Sequence, residues 1–351
     1  MKKWRVAVMG LGHWYSGFGL ARSIGEYPRA ELVAVADSVE SHVQEFASTF
    51  GVQAYTDYES LLARDDIDIV HIAPPVCDMP RCVIMAAEAG KHMIMGKPMA
   101  MNLAQADAMV AAVQAAGVKC VCFQHSFCLR AMDLKRRLDA GEIGPVAVMH
   151  HAGRWSIAED WPHSGKGGWF TDPKCVPGGS FIDEGIYIIE LLRWLAGSDI
   201  VRVEGRTANL VHTELGVEDW GLATFTFANG IIATQEASWT INSPRKTGPS
   251  PKANSVRRLE VIGTRGEIID DGLRLPALGV LAQGAEGWVF ERPGGEYWSG
   301  APTPPLLLDY LITCIEQSTE PMLTIHDARK AFGVAMAFYE AARTGSAVAP
   351  Y

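Results

Sequence analysis

Up to about residue 125 the chain alternates short apolar runs with amphipathic segments, and this rhythm restricts the possible folds more than any other feature. Residues 4–9, 31–36, 67–72, 92–95 and 119–123 read as strands. Residues 16–26, 39–50, 57–63, 78–89 and 102–116 read as helices between them. Gly90 and Gly117 follow two of these helices, where a left-handed residue closes the last turn. Strands joined by crossover helices form a parallel sheet covered on both faces, so five to six of them predict a doubly wound α/β domain.

The rhythm then changes. Residues 129–140 and 181–195 read as helices, and 146–155 as a strand. Strands at 201–210, 221–227, 231–239, 258–262 and 267–271 follow with no helix between them, and Asn229-Gly230 supplies a hairpin turn. This predicts an open, mostly antiparallel sheet with one apolar face and one face free for a ligand or partner. The Pro-, Lys- and Ser-rich stretch 244–254 reads as a loop, and helices at 306–317 and 325–344 close the chain. The expected organisation is a doubly wound α/β domain over 1–124, then an α+β domain over 125–351.

Composition narrows the functional classes. The net charge is −9 and the pI about 5.6. An acidic balance argues against nucleic acid or an anionic membrane as partner. The apolar start breaks at Gly10-Leu-Gly12, too short for a signal peptide, and no run reaches the ~18 apolar residues of a membrane span. The seven cysteines lack C-x-x-C spacing, which favours reduced cytoplasmic thiols over a metal site or a disulfide framework.

The segment VAVMGLGHWYSGFG places Gly10-x-Gly12 after the first strand and before a helix. Glycines there permit a tight turn and let phosphate approach the free N–H groups of the helix. Tyr15 occupies the third glycine position of the usual fingerprint, so the match is partial. The second strand ends in VAVAD, putting Asp37 where a dinucleotide fold carries the acid that accepts from ribose hydroxyls. Residues 38–42 hold no Arg or Lys to meet a 2′-phosphate, which favours NAD over NADP. Gly10, Gly12, His13, Trp14, Asp37 and the loop residues Ala73 and Pro74 are the candidate cofactor contacts, with Lys97 beside the nicotinamide.

Lys97 ends the strand at 92–95, held between Gly96 and Pro98. Proline biases the residue before it toward an extended backbone. A lysine at a sheet's carboxyl edge can hydrogen-bond a substrate oxygen; the alternative is a solvated surface lysine. In PGGSFIDEGIYIIELLRWL, residues 177–195, Asp183 and Tyr187 stand four apart and share a helix face, with Gly185 between them. Asp183 sits among apolar neighbours and needs a partner if buried. From these residues alone, a capping Asp and a core Tyr are equally acceptable.

In order and spacing these motifs resemble the glucose–fructose oxidoreductase/inositol dehydrogenase (Gfo/Idh/MocA) family over essentially the whole chain. AGKHMIMGKP stands where the family has A-G-K-H-V-x-x-E-K-P, and GGSFIDEGIY where many members have G-G-G-x-x-D-x-G-x-H. EASW follows on a late strand. The resemblance implies a nicotinamide cofactor and hydride transfer at a carbinol of a sugar, polyol or cyclic diol. It assigns Lys97, Asp183 and Tyr187 to the catalytic positions. Tyrosine in place of histidine is also found in family members with D-x-G-I-Y.

There are departures. Gly96 replaces the motif glutamate, Pro75 and Asp78 stand near the positions of P-N-x-x-H, and Ser126 takes an arginine position. On this reading Tyr187 is the general base. Lys97 lowers the phenol's proton affinity or binds the oxygen that becomes a carbonyl, and Asp183 orients Lys97 or a second hydroxyl. His125 and the stretch 150–170, with Arg154, Trp155, Trp161, His163, Lys166 and Trp169, are expected to line the substrate pocket; no metal is expected. Two other readings share the fold: redox-neutral glycoside cleavage through a transient keto-sugar, and a non-catalytic NAD-binding sensor. The family also implies a homodimer or homotetramer through the C-terminal sheet.

Overall fold

The structure, a computed structural model, describes residues 2–25, 27–122, 129–155, 168–240, 256–271, 278–291 and 304–351. The chain divides into two compact units. The first comprises Met1–Phe123, Glu159–Pro177 and Thr303–Phe332; the second comprises Gln124–Ala158, Gly178–Pro302 and Gly333–Tyr351.

The first unit holds strands β1 (Trp4–Met9), β2 (Ala30–Ala36), β3 (Gln53–Tyr55), β4 (Ile69–Ile72), β5 (His92–Met95) and β6 (Cys120–Cys122). They form one parallel sheet in the order β3-β2-β1-β4-β5-β6. Helices α1 (Trp14–Ile24), α2 (Glu40–Phe50), α3 (Tyr58–Leu62), α4 (Met79–Glu88) and α5 (Leu103–Ala116) are the crossovers. Val8, Leu11, Phe18, Val35, Val43 and Phe46 build one side of its core, with the Phe18 and Phe46 rings edge to face at 4.9 Å. Local chemistry sets the helix ends. Asp57 and Asn102 accept from Ser60 and Gln105 N–H as N-caps, and Gly117 closes α5 at φ +65°. The edge strand β3 has only three residues, too few to show a period in sequence.

The second unit carries α6 (Leu129–Asp139), β7 (Val146–Arg154), α7 (Ser180–Ala196), β8 (Ile200–Ala208), β9 (Trp220–Phe227), β10 (Ile232–Ser238), β11 (Val256–Gly263), β12 (Gly266–Asp271), β13 (Leu278–Ala282) and β14 (Val289–Glu291). The last two strands were not expected from the sequence. The sheet order is β14-β13-β12-β11-β7-β10-β9-β8, antiparallel throughout except that β7 and β10 run parallel. Helices α8 (Pro304–Glu316) and α9 (Ile325–Thr344) complete the chain.

Alternation along the strands separates two faces. Met149, His151 and Gly153 on β7 and Ala233, Gln235 and Ala237 on β10 point to the buried face. There α7 lies on the sheet: Gln235 Nε2 donates to the Gly185 carbonyl at 2.9 Å. The Phe181 ring of α7 stacks on Phe338 with 3.5 Å between centroids. Leu222 and Ile232 project from the opposite, exposed face.

Candidate active site

In the first unit the carboxyl ends of β1, β2, β4 and β5 put four candidate segments on one sheet edge. The strand order reverses at β1, and ligands of open α/β sheets bind at such a switch point. Gly10 has φ +85°, and a Cβ there would lie 2.5 Å from Pro74 N. A Cβ on Gly12 would meet Pro75 N at the same distance. The two glycines are therefore required first by the Ala73–Pro75 loop, whose backbone packs against them. Asp37 is buried and holds the turn together: Oδ2 accepts from Leu11 N–H at 2.6 Å, and Oδ1 from Val39 N–H at 2.8 Å. Helix α1 begins at Trp14 with no side-chain cap on its first turn among the described residues. An uncapped helix N-terminus beside a glycine turn, with an acid at the end of β2, fits the pyrophosphate and ribose of a dinucleotide.

His13 is the loop's most constrained side chain. Its backbone N–H donates to the Ala73 carbonyl at 2.9 Å, and its Nδ1–H to the Pro74 carbonyl at 3.0 Å. Burial, then the charge of Lys97, lowers its pKa to about 3, so the ring is neutral. The Trp169 ring lies 4.7 Å from it. Trp169 thus sits in the first unit against the glycine loop. Beneath this loop Ser16 Oγ meets His71 Nε2 at 2.6 Å, and burial lowers His71 to about 4. The sequence reading missed this pair; position on a buried strand end was its only signal.

Lys97 is 5% exposed and precedes Pro98 through a cis peptide bond. Gly96 N–H donates to the Ile72 carbonyl at 2.8 Å. A Cβ at Gly96 would lie 3.1 Å from that oxygen and 3.3 Å from Met79 Cε. Met79 therefore packs close to the direction that a glutamate side chain would need.

In the second unit Asp183 and Tyr187 are both 6% exposed on the first half of α7. Trp239 Nε1–H donates to Asp183 Oδ2 at 3.3 Å. Asp183 lies in the first turn and is not the cap. Glu218 caps the helix instead: its carboxylate accepts from Gly179 N–H at 2.7 Å, Phe181 N–H at 3.0 Å and Tyr339 O–H at 2.9 Å. This explains the double glycine. A Cβ on Gly178 would fall 2.1 Å from the Tyr339 hydroxyl, and one on Gly179 would fall 1.9 Å from the Glu218 carbonyl. Gly185 admits the Gln235 amide, 2.6 Å from where its Cβ would stand. Nothing in the local sequence announced Glu218, which lies 39 residues from Gly179.

Trp155 donates its backbone N–H to Ser238 O at 2.8 Å, and the Arg257 guanidinium lies 5.7 Å from its ring centre. Arg154 points to the exposed face of β7, where both guanidinium arms pair with Glu236 and Trp220 also donates to that carboxylate. His125, Trp161, His163 and Lys166 lie outside the described residues.

Residues 4–124 match the oxidoreductase family with the NAD-binding Rossmann fold, and residues 131–269 match the GFO/IDH/MocA C-terminal domain. The chain is 30% identical to scyllo-inositol 2-dehydrogenase (NAD(+)) of Bacillus subtilis, over 98% of this chain and 95% of that protein. Aldose-aldose oxidoreductase from Caulobacter crescentus, solved with glycerol, superposes with a TM-score of 0.82 at 24% identity, over 99% of this chain and 100% of that one. Levoglucosan dehydrogenase in complex with NADH and L-sorbose gives 0.86 at 22% identity, over 100% of both chains. The first unit therefore carries an NAD-binding Rossmann domain, and the protein is an NAD-dependent oxidoreductase acting on alcohol groups. It belongs to the Gfo/Idh/MocA family. No described helix is long and apolar enough to cross a membrane.

Proposed function

We propose that the protein oxidises a secondary alcohol on the ring of a sugar or polyol, the substrate class named for its relatives. The observation that carries this reading is the buried Asp183–Tyr187 pair on one face of α7, in a chain that also has an NAD domain with a buried lysine at its carboxyl edge. When bound, NAD accepts the carbinol hydride at C4 of its nicotinamide. Tyr187 takes the hydroxyl proton, Lys97 donates to the oxygen that becomes a carbonyl, and Asp183 holds a neighbouring hydroxyl. The balance is alcohol plus NAD⁺ giving ketone, NADH and a proton. His13, neutral and fixed by Pro74, keeps the glycine loop in shape and adds no positive charge to it. Arg154, paired with Glu236 on the exposed face, has no part in this site. That face, with Leu222 and Ile232, is the surface we assign to a homodimer or homotetramer. The site of action we assign is the cytoplasm, in keeping with reduced thiols at Cys77, Cys82, Cys120, Cys175 and Cys314.

The test is NADH formation with scyllo-inositol, myo-inositol, D-glucose, levoglucosan and aryl glucosides. At least one is expected to yield stoichiometric NADH. Lys97→Ala and Tyr187→Phe should each lower kcat by roughly 10²-fold or more, while Tyr187→Phe leaves NAD affinity unchanged. Full turnover in both variants overturns the assignment. Release of aglycone without NADH points instead to redox-neutral glycoside cleavage.

A further inference from the structure

Two thiols that the mechanism above does not use meet in the first unit. Cys77 and Cys175 are reduced and half-buried, whereas Cys82, Cys120, Cys122 and Cys314 are buried. The Cys77 thiol lies against that of Cys175, close enough for one sulfur to hydrogen-bond the other. Cys77 is the middle residue of the 3-10 turn Val76–Asp78, which follows the Ala73–Pro75 loop directly. Cys175 lies in the turn after Trp169–Thr171, where the N–H groups of Cys175 and Val176 donate to the Asp172 carbonyl at 2.8 and 3.0 Å. A disulfide demands a defined placement of its two Cβ atoms, and short turns adjust to that demand more readily than the middle of a helix or strand.

The position of the pair gives it a consequence. The Trp169 ring rests on His13 of the glycine turn, and Phe170, Thr171 and Val176 are buried. His13 is tied in turn to the Ala73 and Pro74 carbonyls. Residues 168–177 thus lie as a strap on the first unit, against the turn that meets the dinucleotide. Trp169 anchors the strap near one end by ring contact, and Cys175 meets Cys77 near the other.

The ionisation state narrows the chemistry. Burial, then the neighbouring thiol, pushes Cys77 up to about 12, so it rests protonated. A protonated thiol is a poor first nucleophile toward an oxidant. Cys77 therefore suits the second, resolving step, and Cys175 the first.

We propose that Cys77 and Cys175 are a reversible oxidation site, whose disulfide fastens the strap to the loop beside the glycine turn and slows the release of bound NAD. The oxidant is hydrogen peroxide. The Cys175 sulfur attacks one peroxide oxygen, the O–O bond breaks and water leaves, giving a sulfenic acid. The Cys77 sulfur then attacks the Cys175 sulfur, the S–O bond breaks and a second water carries off the Cys77 proton. Two thiols and one peroxide give one disulfide and two waters, and a dithiol reverses the change. The inference rests on the NAD-binding domain and is independent of which alcohol is oxidised.

The test uses the NAD-loaded full chain, treated with hydrogen peroxide and digested without reduction. Mass spectrometry is expected to find the Cys77 and Cys175 peptides joined, and dithiothreitol should part them. NAD release, followed by fluorescence after dilution, should slow about 10-fold or more in the oxidised protein and recover with dithiothreitol. Cys77→Ser and Cys175→Ser should each keep the reduced protein's release rate under peroxide. Sulfinic acid at Cys175 with no joined peptides overturns the oxidation site, as does either cysteine joined only to a different one. Joined peptides with unchanged NAD release overturn the clasp. Equal slowing in both serine variants also overturns it, because another residue then carries the effect. Each readout stands even if none of the tested alcohols is oxidised.

Discussion

Glu218 offers the sharpest check on how the site is held. Its carboxylate accepts from two N–H groups at the start of α7 and from the Tyr339 hydroxyl, which in turn accepts from Ile182 N–H at 3.1 Å. Burial raises its pKa despite these donors, so the three hydrogen bonds do not fully compensate the desolvated charge. Removing the charge alone is then inexpensive, and removing the acceptors is not. Glu218→Gln keeps one acceptor oxygen but turns an amide donor toward a backbone donor. It should cost about one hydrogen bond, 1–2 kcal/mol. Glu218→Ala strands two buried N–H groups and a phenol and leaves a void, for about 3–5 kcal/mol. Urea denaturation of both variants at neutral pH gives the two numbers. The Ala variant should also lose activity beyond its loss of folded protein, because the turn that carries Asp183 is no longer fixed. If Gln is as damaging as Ala, the charge itself caps the helix, and neutral acceptors do not suffice. If Ala costs less than about 1 kcal/mol, the hydrogen bonds contribute little and the reasoning also fails.

Two further outcomes follow from the same geometry. Asp37→Ala removes the ribose acceptor and the partner of Leu11 and Val39 N–H, so the Kd for NAD should rise about 10-fold or more by fluorescence titration; an unchanged Kd would separate Asp37 from the cofactor. His13 has a folded pKa of about 3 against an unfolded value near 6.5, so the unfolded chain takes up its proton first and the folded state loses stability as pH falls below 6.5. His13→Gln should flatten that loss by about 1.4 kcal/mol per pH unit between pH 6 and 4, measured by denaturation, and parallel curves for the two proteins would contradict it.

Much of this was legible in one dimension, for identifiable reasons. The first sheet was readable because each of its long strands is bounded by a glycine, a cap or a helix of definite period; Asn102 and Gly117 mark the ends of α5 outright. Strands β3, β13 and β14 were not, being three to five residues long and held mainly by pairing with neighbours. Helix periodicity alone puts Asp183 and Tyr187 on one face, whereas their proposed roles came only with the family resemblance. Glu218 and Gln235 were not found, because their contacts with α7 span 37 to 50 residues of sequence.

Arg154 and His151 show the limit most clearly. They stand three apart on β7, and alternation sends them to opposite faces; strand periodicity supplies the alternation but not which face is buried. By itself the sequence determined the strand–helix rhythm, the glycine turn, the acid at Asp37 and the spacing of the α7 pair, all properties of neighbouring residues. Tertiary structure decided why the glycines are glycines, which carboxylate caps α7 and which histidines are kept neutral. Those depend on close approach and on burial, and both arise only when distant segments exclude water together.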